Sequence, residues 1–403
     1  MSNVLVTSSL VAKEALAVLQ NMLGFAKNVN RDFEPEFQGN MARGYQPGAT
    51  INIKRPPRYT YRAGRIAVPQ ATTETQTPLT LSQGGADLNF TSFERTLSVG
   101  QFEKKVMAAV TAVVNEIDRQ GLDLARRTVA NAVGTVGTFP TTQALALQVL
   151  TQGQQKLSEM GAPVSDRQRS LALNPAMNAS IVQGLAGLFN SQSTLDKQYK
   201  SGMFVEGLGL NVAMDQNVSR HTNGTAVQAT NTVSGAGQTG ASLTTAALNG
   251  TVTQGTVFTI AGVNAVNPQS RQDTGALQQF VATAAAANGA VAILISPSIT
   301  PTGAFQNVTA SPANGAAITI LGIGSAAYDT NIMYHRDAFT LAMVPMFEPM
   351  EGTGAKCTTM SDDGFTLKVT QFYDGVNDNN LMRLDVLFGW AATYPELACK
   401  IVA

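Results

Sequence analysis

Charge is what this chain has least of. Lys and Arg together number 27, as do Asp and Glu, and the charged share is 13%, about half that of an ordinary soluble domain. The formal net charge is zero, which excludes a protein coated in basic charge to grip nucleic acid and leaves only a local patch open. Two cysteines, Cys357 and Cys399, are too few for a disulfide framework or a Cys-rich zinc site. The two histidines, His221 and His335, have no partners at the spacing of a metal site, so no metal and no cofactor is expected. No stretch approaches the roughly 18 apolar residues that cross a membrane, and Val291-Ala-Ile-Leu-Ile295 is only strand-length. Met1-Ser-Asn-Val-Leu-Val-Thr7 lacks the basic start and apolar run of a secretory signal. These absences describe a soluble intracellular product of two or three domains.

The shortage of charge is local. Between His221 and Thr330 the charged residues are Arg271, Asp273 and Asp329, three in 110 positions, and a break that sharp marks a separate module. Its many Thr and Val residues, the turns Asn249-Gly250 and Asn314-Gly315, and runs such as Thr256-Val-Phe-Thr-Ile260 predict an all-β insert. Such a module must stay soluble through hydroxyls, amides and backbone.

Elsewhere the text is mixed. Leu10, Val11, Ala15, Val18, Leu19, Met22 and Leu23 share one face of a helix over 9–23. From Asn28 to Gln83, Pro35, Pro47, Pro56, Pro57, Pro69 and Pro78 exclude long helices, and Thr50-Ile-Asn-Ile-Lys54 alternates like a strand. A long extended excursion of this kind is usually functional. Ser98-Val-Gly-Gln101 fits a capping box. Val106, Val110, Val113, Ile117, Leu124 and Val129 then follow at helical spacing, predicting a helix over 99–133 with Gly121 as a possible bend, a rod of about 50 Å. A second helix is expected over Thr142–Met160, stopped by Gly161. A strand over 170–173 leads into a helix capped by Asn174 and opened by Pro175. Near the end Phe365, Leu367 and Val369, and Leu384, Val386 and Phe388, alternate as strands joined through Asp374-Gly-Val-Asn-Asp-Asn-Asn380.

Few residues suggest chemistry. Ile318–Ala327 contains a strand followed by Gly322-x-Gly324, but a dinucleotide site needs a helix next, and Ile332-Met-Tyr334 reads as another strand. Asp374, Asn377, Asp378 and Asn380 suit a turn better than a calcium loop. Cys357 or Cys399 would need His335 alongside to act as a nucleophile and read better as small buried residues. The strongest surface feature is a basic run of Arg43, Lys54, Arg55, Arg58, Arg62 and Arg65, interleaved with Tyr45, Tyr59 and Tyr61, with no acid between Glu36 and Glu74. It could track a nucleic-acid strand, but its prolines favour an exposed loop that pairs with acids of a neighbouring molecule. Candidates are Glu103, Glu116, Asp118 and Asp123 on the long helix. Arg271 and Asp273 are expected to make a contact between copies across a symmetry axis.

The order of parts resembles the major capsid proteins of tailed phages, in particular the P22 coat protein family. Phe204–Val212 and Gln216–Gly224 carry the resemblance before the insert, Gly255–Pro268 and Leu277–Phe280 within it, and Asn331–Leu341 and Arg383–Leu397 after it. It implies an α+β, HK97-like capsid fold with a long spine helix, an extended loop, an axial domain and an inserted barrel-like β domain. Residues 1–34 would be an N-terminal arm, 35–90 the extended loop, 91–136 the peripheral domain with the spine helix, and 137–220 the axial domain. Residues 221–330 would be the insert and 331–403 the returning strands. The partners implied are copies of the chain in hexamers and pentamers of an icosahedral shell, a scaffolding protein, a portal protein and packaged double-stranded DNA bound without sequence specificity. No membrane is implied, and assembly would take place in the host cytoplasm. The insert departs from the pattern in being almost uncharged. Some relatives cross-link through a Lys, an Asn and an acid; no such trio is matched here, so a non-covalent shell and no enzymatic activity are expected. A bacterial surface or adhesive β-protein is the alternative that the Thr-, Asn- and Gly-rich module suggests.

Overall fold

The computed structural model describes residues 23–39, 49–67, 69–91, 102–164, 166–185, 206–226, 230–348, 355–362 and 365–403. Nearly all of the helix expected over 9–23, together with Arg43, Tyr45 and the Ser98–Gln101 capping box, lies outside them. In chain order the elements are α1 (Glu34–Gly39), β1 (Thr50–Arg55), β2 (Thr75–Thr80), β3 (Ser82–Thr91), α2 (Phe102–Thr128), β4 (Ala132–Gly134), α3 (Gln143–Glu159), β5 (Arg169–Leu173) and α4 (Pro175–Leu185). Next come β6 (Glu206–Gly207), β7 (Leu210–Met214), β8 (Arg220–Thr222), β9 (Asn231–Thr232), β10 (Gly240–Thr244), β11 (Val257–Val266), β12 (Asp273–Ala282), β13 (Ala292–Ile299) and β14 (Ala317–Ile320). The chain ends with β15 (Ala327–His335), β16 (Thr340–Met343), β17 (Lys356–Asp362), β18 (Phe365–Asp374), β19 (Asn379–Ala391) and β20 (Ala398–Val402). None of the described helices is long and apolar enough to cross a membrane.

Two compact units form. The first draws on Met1–Ile53, Gln76–Gly121 and Thr340–Ala391. Its five-stranded sheet runs β16-β19-β18-β17, with β3 also pairing β19. The alternation expected of the last strands is realised: Phe365, Leu367, Val369, Leu384, Val386 and Phe388 are all buried, and Val369 lies directly opposite Leu384. Burying side chains of this size contributes roughly 1.5–3 kcal/mol each. Ile51 and Ile53 of β1 are buried between exposed neighbours and join Phe37, Leu79, Ala342, Val344 and Ala391 in a second cluster. Asp118 of α2 is buried and accepts from the backbone N–H groups of Gly24 at 2.9 Å, Phe25 at 3.4 Å and Ala26 at 2.9 Å.

The second unit draws on Lys54–Thr75, Leu122–Phe339 and Ala392–Ala403. Its seven-stranded sheet runs β4-β20-β15-β5-β7-β6, with β8 pairing β15. Helix α3 begins with the Thr142 hydroxyl accepting from the Leu145 N–H and ends at Met160, with Gly161 in the left-handed region at φ 86°. Its buried Ala146, Val149, Leu150, Gly153 and Leu157 recur every three or four residues, as one face of a helix must. Helix α4 starts as expected, with the Asn174 side chain accepting from the Met177 N–H at 2.7 Å. These faces join Leu171, Leu173, Met333, Cys399 and Ile401 in one core.

The long helix corrects the sequence reading in two places. It ends at Thr128, so its described 27 residues make a rod of about 40 Å. Residues 132–134 instead form β4, parallel to β20. Long-range bonds take this segment out of the helix: the Asn131 side chain donates to the carbonyls of Glu396 and Ala398, each at 3.1 Å, and the Gln279 side chain bonds both backbone groups of Ala132. After Ile117 the buried stripe passes through Leu122, Ala125 and Val129, and Leu124 is only half-buried.

Among its described residues the charge-poor segment is all-β, as expected. Its antiparallel sheet runs β10-β13-β12-β11-β14-β9, with its own core of Phe258, Ile260, Phe280, Ile293, Ile295, Ile318 and Ile320 among others. Its chain leaves and re-enters beside the β8–β15 pair, where His221 opposes Tyr328. Amides take over the role charge usually plays at turns. The side-chain carbonyls of Asn314, Asn231, Asn288 and Asn307 accept from the backbone N–H groups of Gly235, Asn249, Gly250 and Thr300 at 2.8–2.9 Å.

Candidate functional site

Residues 56–74 connect β1 to β2 as an extended strap whose described backbone carries no ladder. Side chains hold it in shape. Gln70 accepts from the Thr60 N–H at 2.8 Å and donates to the Thr60 carbonyl at 2.7 Å, and the Tyr59 and Thr72 hydroxyls meet at 3.1 Å. At the tip Arg62 donates to the carbonyls of Gly64 and Ile66, closing a turn in which Gly64 has φ 98°. That value is open to glycine at little cost.

The base of the strap is anchored within its own chain. Lys54 pairs with Glu74 at 3.2 Å. Arg55 donates to the Ala392 carbonyl at 3.4 Å and sits over the Tyr394 ring at 5.3 Å. Arg58 pairs with Glu396 at 3.4 Å and lies 5.7 Å from the Phe305 ring. A cavity of about 550 Å³ opens beneath these two guanidiniums, lined also by Pro57, Pro297, Phe305 and Tyr394, so the base is propped on side-chain ends rather than packed solid. Arg271 holds the strap from the insert. Its backbone is left-handed at φ 56°, and its guanidinium donates to the Tyr59 carbonyl at 2.9 Å and the Ala304 carbonyl at 3.4 Å. Asp273 turns the other way, accepting from the Asn264 side chain at 3.1 Å and the Gly275 N–H at 2.8 Å. Those donors, Gly275 first, hold its carboxyl below the usual range.

The residues of the basic run therefore divide. Lys54, Arg55 and Arg58 are held at the base, where Arg271 of the insert joins them; the partners of Arg55 and Arg58 lie 337 and 338 residues away, beyond the reach of a sequence reading. Arg62 and Arg65 face solvent with Tyr61 and Ile66, which are 92% and 82% exposed. The acids expected to receive the strap are also engaged. Glu116 binds Arg119 at 2.7 Å, Asp118 caps residues 24–26, and Asp123 binds Arg126 and Arg127 at 2.7 and 2.9 Å. The side chain of Glu103 lies outside the described residues.

The remaining sequence candidates take structural places. Strand β15, not a helix, follows Gly322 and Gly324. Asp374 accepts from the Val376 N–H at 3.0 Å and the Asn377 side chain at 2.6 Å, which builds the β18–β19 turn. Cys399 is wholly buried and burial pushes its thiol up to about 12; Cys357 meets the Thr370 hydroxyl at 3.4 Å. His335 meets Asp166 at 2.7 Å. Sequence reasoning missed a cluster of basic side chains at the foot of the insert: the buried Lys400 and His221 and the half-buried Arg126. The one local signal was a lysine inside the apolar strand Ala398-Cys-Lys-Ile-Val402.

The model of the P22 coat protein family, described as gene protein 5, matches residues 2–401. The chain belongs to that family. It is thus a major capsid protein of a tailed phage, and the adhesin alternative falls. Its mixed α+β architecture agrees with the HK97-like capsid fold expected from the resemblance. Solved structures with overall similarity include Mycobacterium phage Che8, at 14% identity and TM-score 0.46 over 94% of this chain and 91% of that one. The capsid of the cyanophage P-SCSP1u matches at 10% and 0.43 over 88% and 83%. The virus-like particle from Pyrococcus furiosus matches at 8% and 0.40 over 97% of both chains. At these scores they add nothing to the assignment, which rests on the family match. No curated protein sequence matches.

Proposed function

We propose that the coat protein closes into a non-covalent icosahedral shell of hexamers and pentamers around double-stranded DNA, and that the strap is its grip on the neighbouring copy. The carrying observation is the contrast within the strap. Its base is fixed by Arg55, Arg58 and Arg271, while Tyr61, Arg62, Arg65 and Ile66 form an exposed row of two aliphatic or aromatic and two cationic side chains. A fixed base reduces the entropy lost when the tip docks, and a mixed apolar and cationic tip suits an acidic, apolar patch on another subunit. Arg271 serves this reading by bracing the strap within one copy, Asp273 shapes its own loop of the insert, and a contact between copies at a symmetry axis remains part of the proposal for that loop.

The same reading takes the insert as the family's added β domain, the N-terminal 34 residues as an arm, 35–90 as the extended loop, and the α2 segment as the spine. It takes the chain as a structural subunit without enzymatic activity, assembled in the host cytoplasm with a scaffolding protein and a portal. The near-neutral composition suits a wall that must let DNA enter and leave. The test is Arg62→Glu with Arg65→Glu. Subunits carrying both should remain folded and fail to form shells, and normal shells would refute the grip.

A further inference from the structure

Lys400 is completely buried, and among the described residues its ammonium has one acceptor, the Gly255 carbonyl at 3.1 Å, where an ammonium can use three. The preceding carbonyl, Gln254, accepts from Arg126 Nη1 at 3.2 Å. That same nitrogen lies 3.2 Å from His221 Nδ1, and His221 Nε2 meets the Thr256 hydroxyl at 3.2 Å. Three side chains from α2, β8 and β20 thus grip one turn of the insert, residues 254–256. The seat is shaped for glycine: Gly255 has φ 93°, and a Cβ there would stand 3.0 Å from the Arg126 carbonyl and 3.2 Å from its Nη1.

The charges around the turn are lopsided. Lys400, Arg126 and His221 converge on it, and Lys156 of α3 faces Cys399 beside them. Asp123 supplies the counter-charge, on Arg126 at 2.7 Å. Tyr328 lies against the His221 ring, centroids 5.4 Å apart, and burial keeps its hydroxyl protonated far above the usual range. A proton added here goes onto a group that already faces a cation.

We propose that the 254–256 turn is an acid-released latch, one of the points that fasten the insert beside the seven-stranded sheet, and that the β8–β15 pair and the Gln279–Ala132 bonds hold when it opens. Burial first, then Arg126, lowers Lys400 to about 7. Burial first, then Lys400 and Arg126, lowers His221 to about 4. Both folded values lie below the ordinary 10.5 and 6.5, so in both windows the opened state binds the extra proton. Closure is therefore favoured as pH rises from about 7 towards 10.5 through Lys400, and weakened as pH falls from 6.5 towards 4 through His221.

The experiment is hydrogen exchange of the unassembled subunit at pH 7 and pH 9, corrected for intrinsic rates and read on peptides over 250–260 against β10, at the far edge of the insert's sheet, as an internal reference. One linked proton titrating between about 7 and 10.5 predicts an opening constant about 50-fold larger at pH 7 than at pH 9, with β10 unchanged. Lys400→Met should abolish the difference, and Lys400→Arg, charged at both pH values, should hold the opening constant at its pH 7 level at both. If either variant fails to fold, the wild type decides alone. Equal opening at the two pH values, or a change shared equally by β10, overturns the latch.

Discussion

Gly121 sits inside α2, where glycine ordinarily weakens a helix, and replacing it with alanine in an open helix would stabilise by about 1 kcal/mol. Here the surroundings reverse the sign. A Cβ at 121 would stand 2.6 Å from Trp390 Cζ2 and 2.8 Å from Phe25 Cε1, well inside van der Waals contact. Neither ring can step back freely. The Trp390 indole donates to the Ile117 carbonyl at 3.1 Å, and the two rings pack with centroids 5.4 Å apart. Overpacking of this kind costs about 1–3 kcal/mol, and shifting the indole weakens a bond worth about 1 kcal/mol. Set against the helix gain, Gly121→Ala should destabilise by roughly 1–3 kcal/mol. The chain has one tryptophan, so the emission of Trp390 reports both the local rearrangement and the denaturant transition. In a Trp390→Leu background the same substitution should be neutral or stabilising, a coupling within the range of residues in contact. A more stable Gly121→Ala protein with unchanged emission would refute the packing argument.

Two further outcomes are expected. Asp118→Ala leaves the N–H groups of residues 24–26 without their carboxylate and should cost about 3–5 kcal/mol in thermal or denaturant unfolding; a loss under 1 kcal/mol would show that water or a neighbour replaces it. Cys399, buried with its thiol pushed up to about 12, should resist alkylation at pH 8 until the chain is unfolded, and modification of the native subunit at the rate of a free thiol would contradict its placement.

What could be read in the sequence was whatever depends on near neighbours. The alternation of Ile51 and Ile53, the Thr142 and Asn174 caps and the charge-poor insert are set by residues within a turn or a strand of one another. The failures all involve distant partners. Helix α2 was read five residues too long because Asn131 and Ala132 are claimed by Ala398 and Gln279. Arg55 and Arg58 looked uncommitted because Ala392 and Glu396 lie more than 300 residues away along the chain. Lys400 passed unnoticed because its meaning depends on Arg126 and Gly255. The exposure of Arg62 and Arg65 was legible because the bonds that shape the tip, from Arg62 to Gly64 and Ile66, are local.

The central claim is that this chain builds a shell, and sedimentation of the purified subunit co-expressed with its scaffolding protein tests it most directly. The account predicts uniform particles tens of nanometres across in the sedimenting fraction and in negative-stain images, and their loss in the Arg62→Glu, Arg65→Glu protein. Wild-type subunits that stay compact monomers at high concentration, with scaffold present, would contradict it.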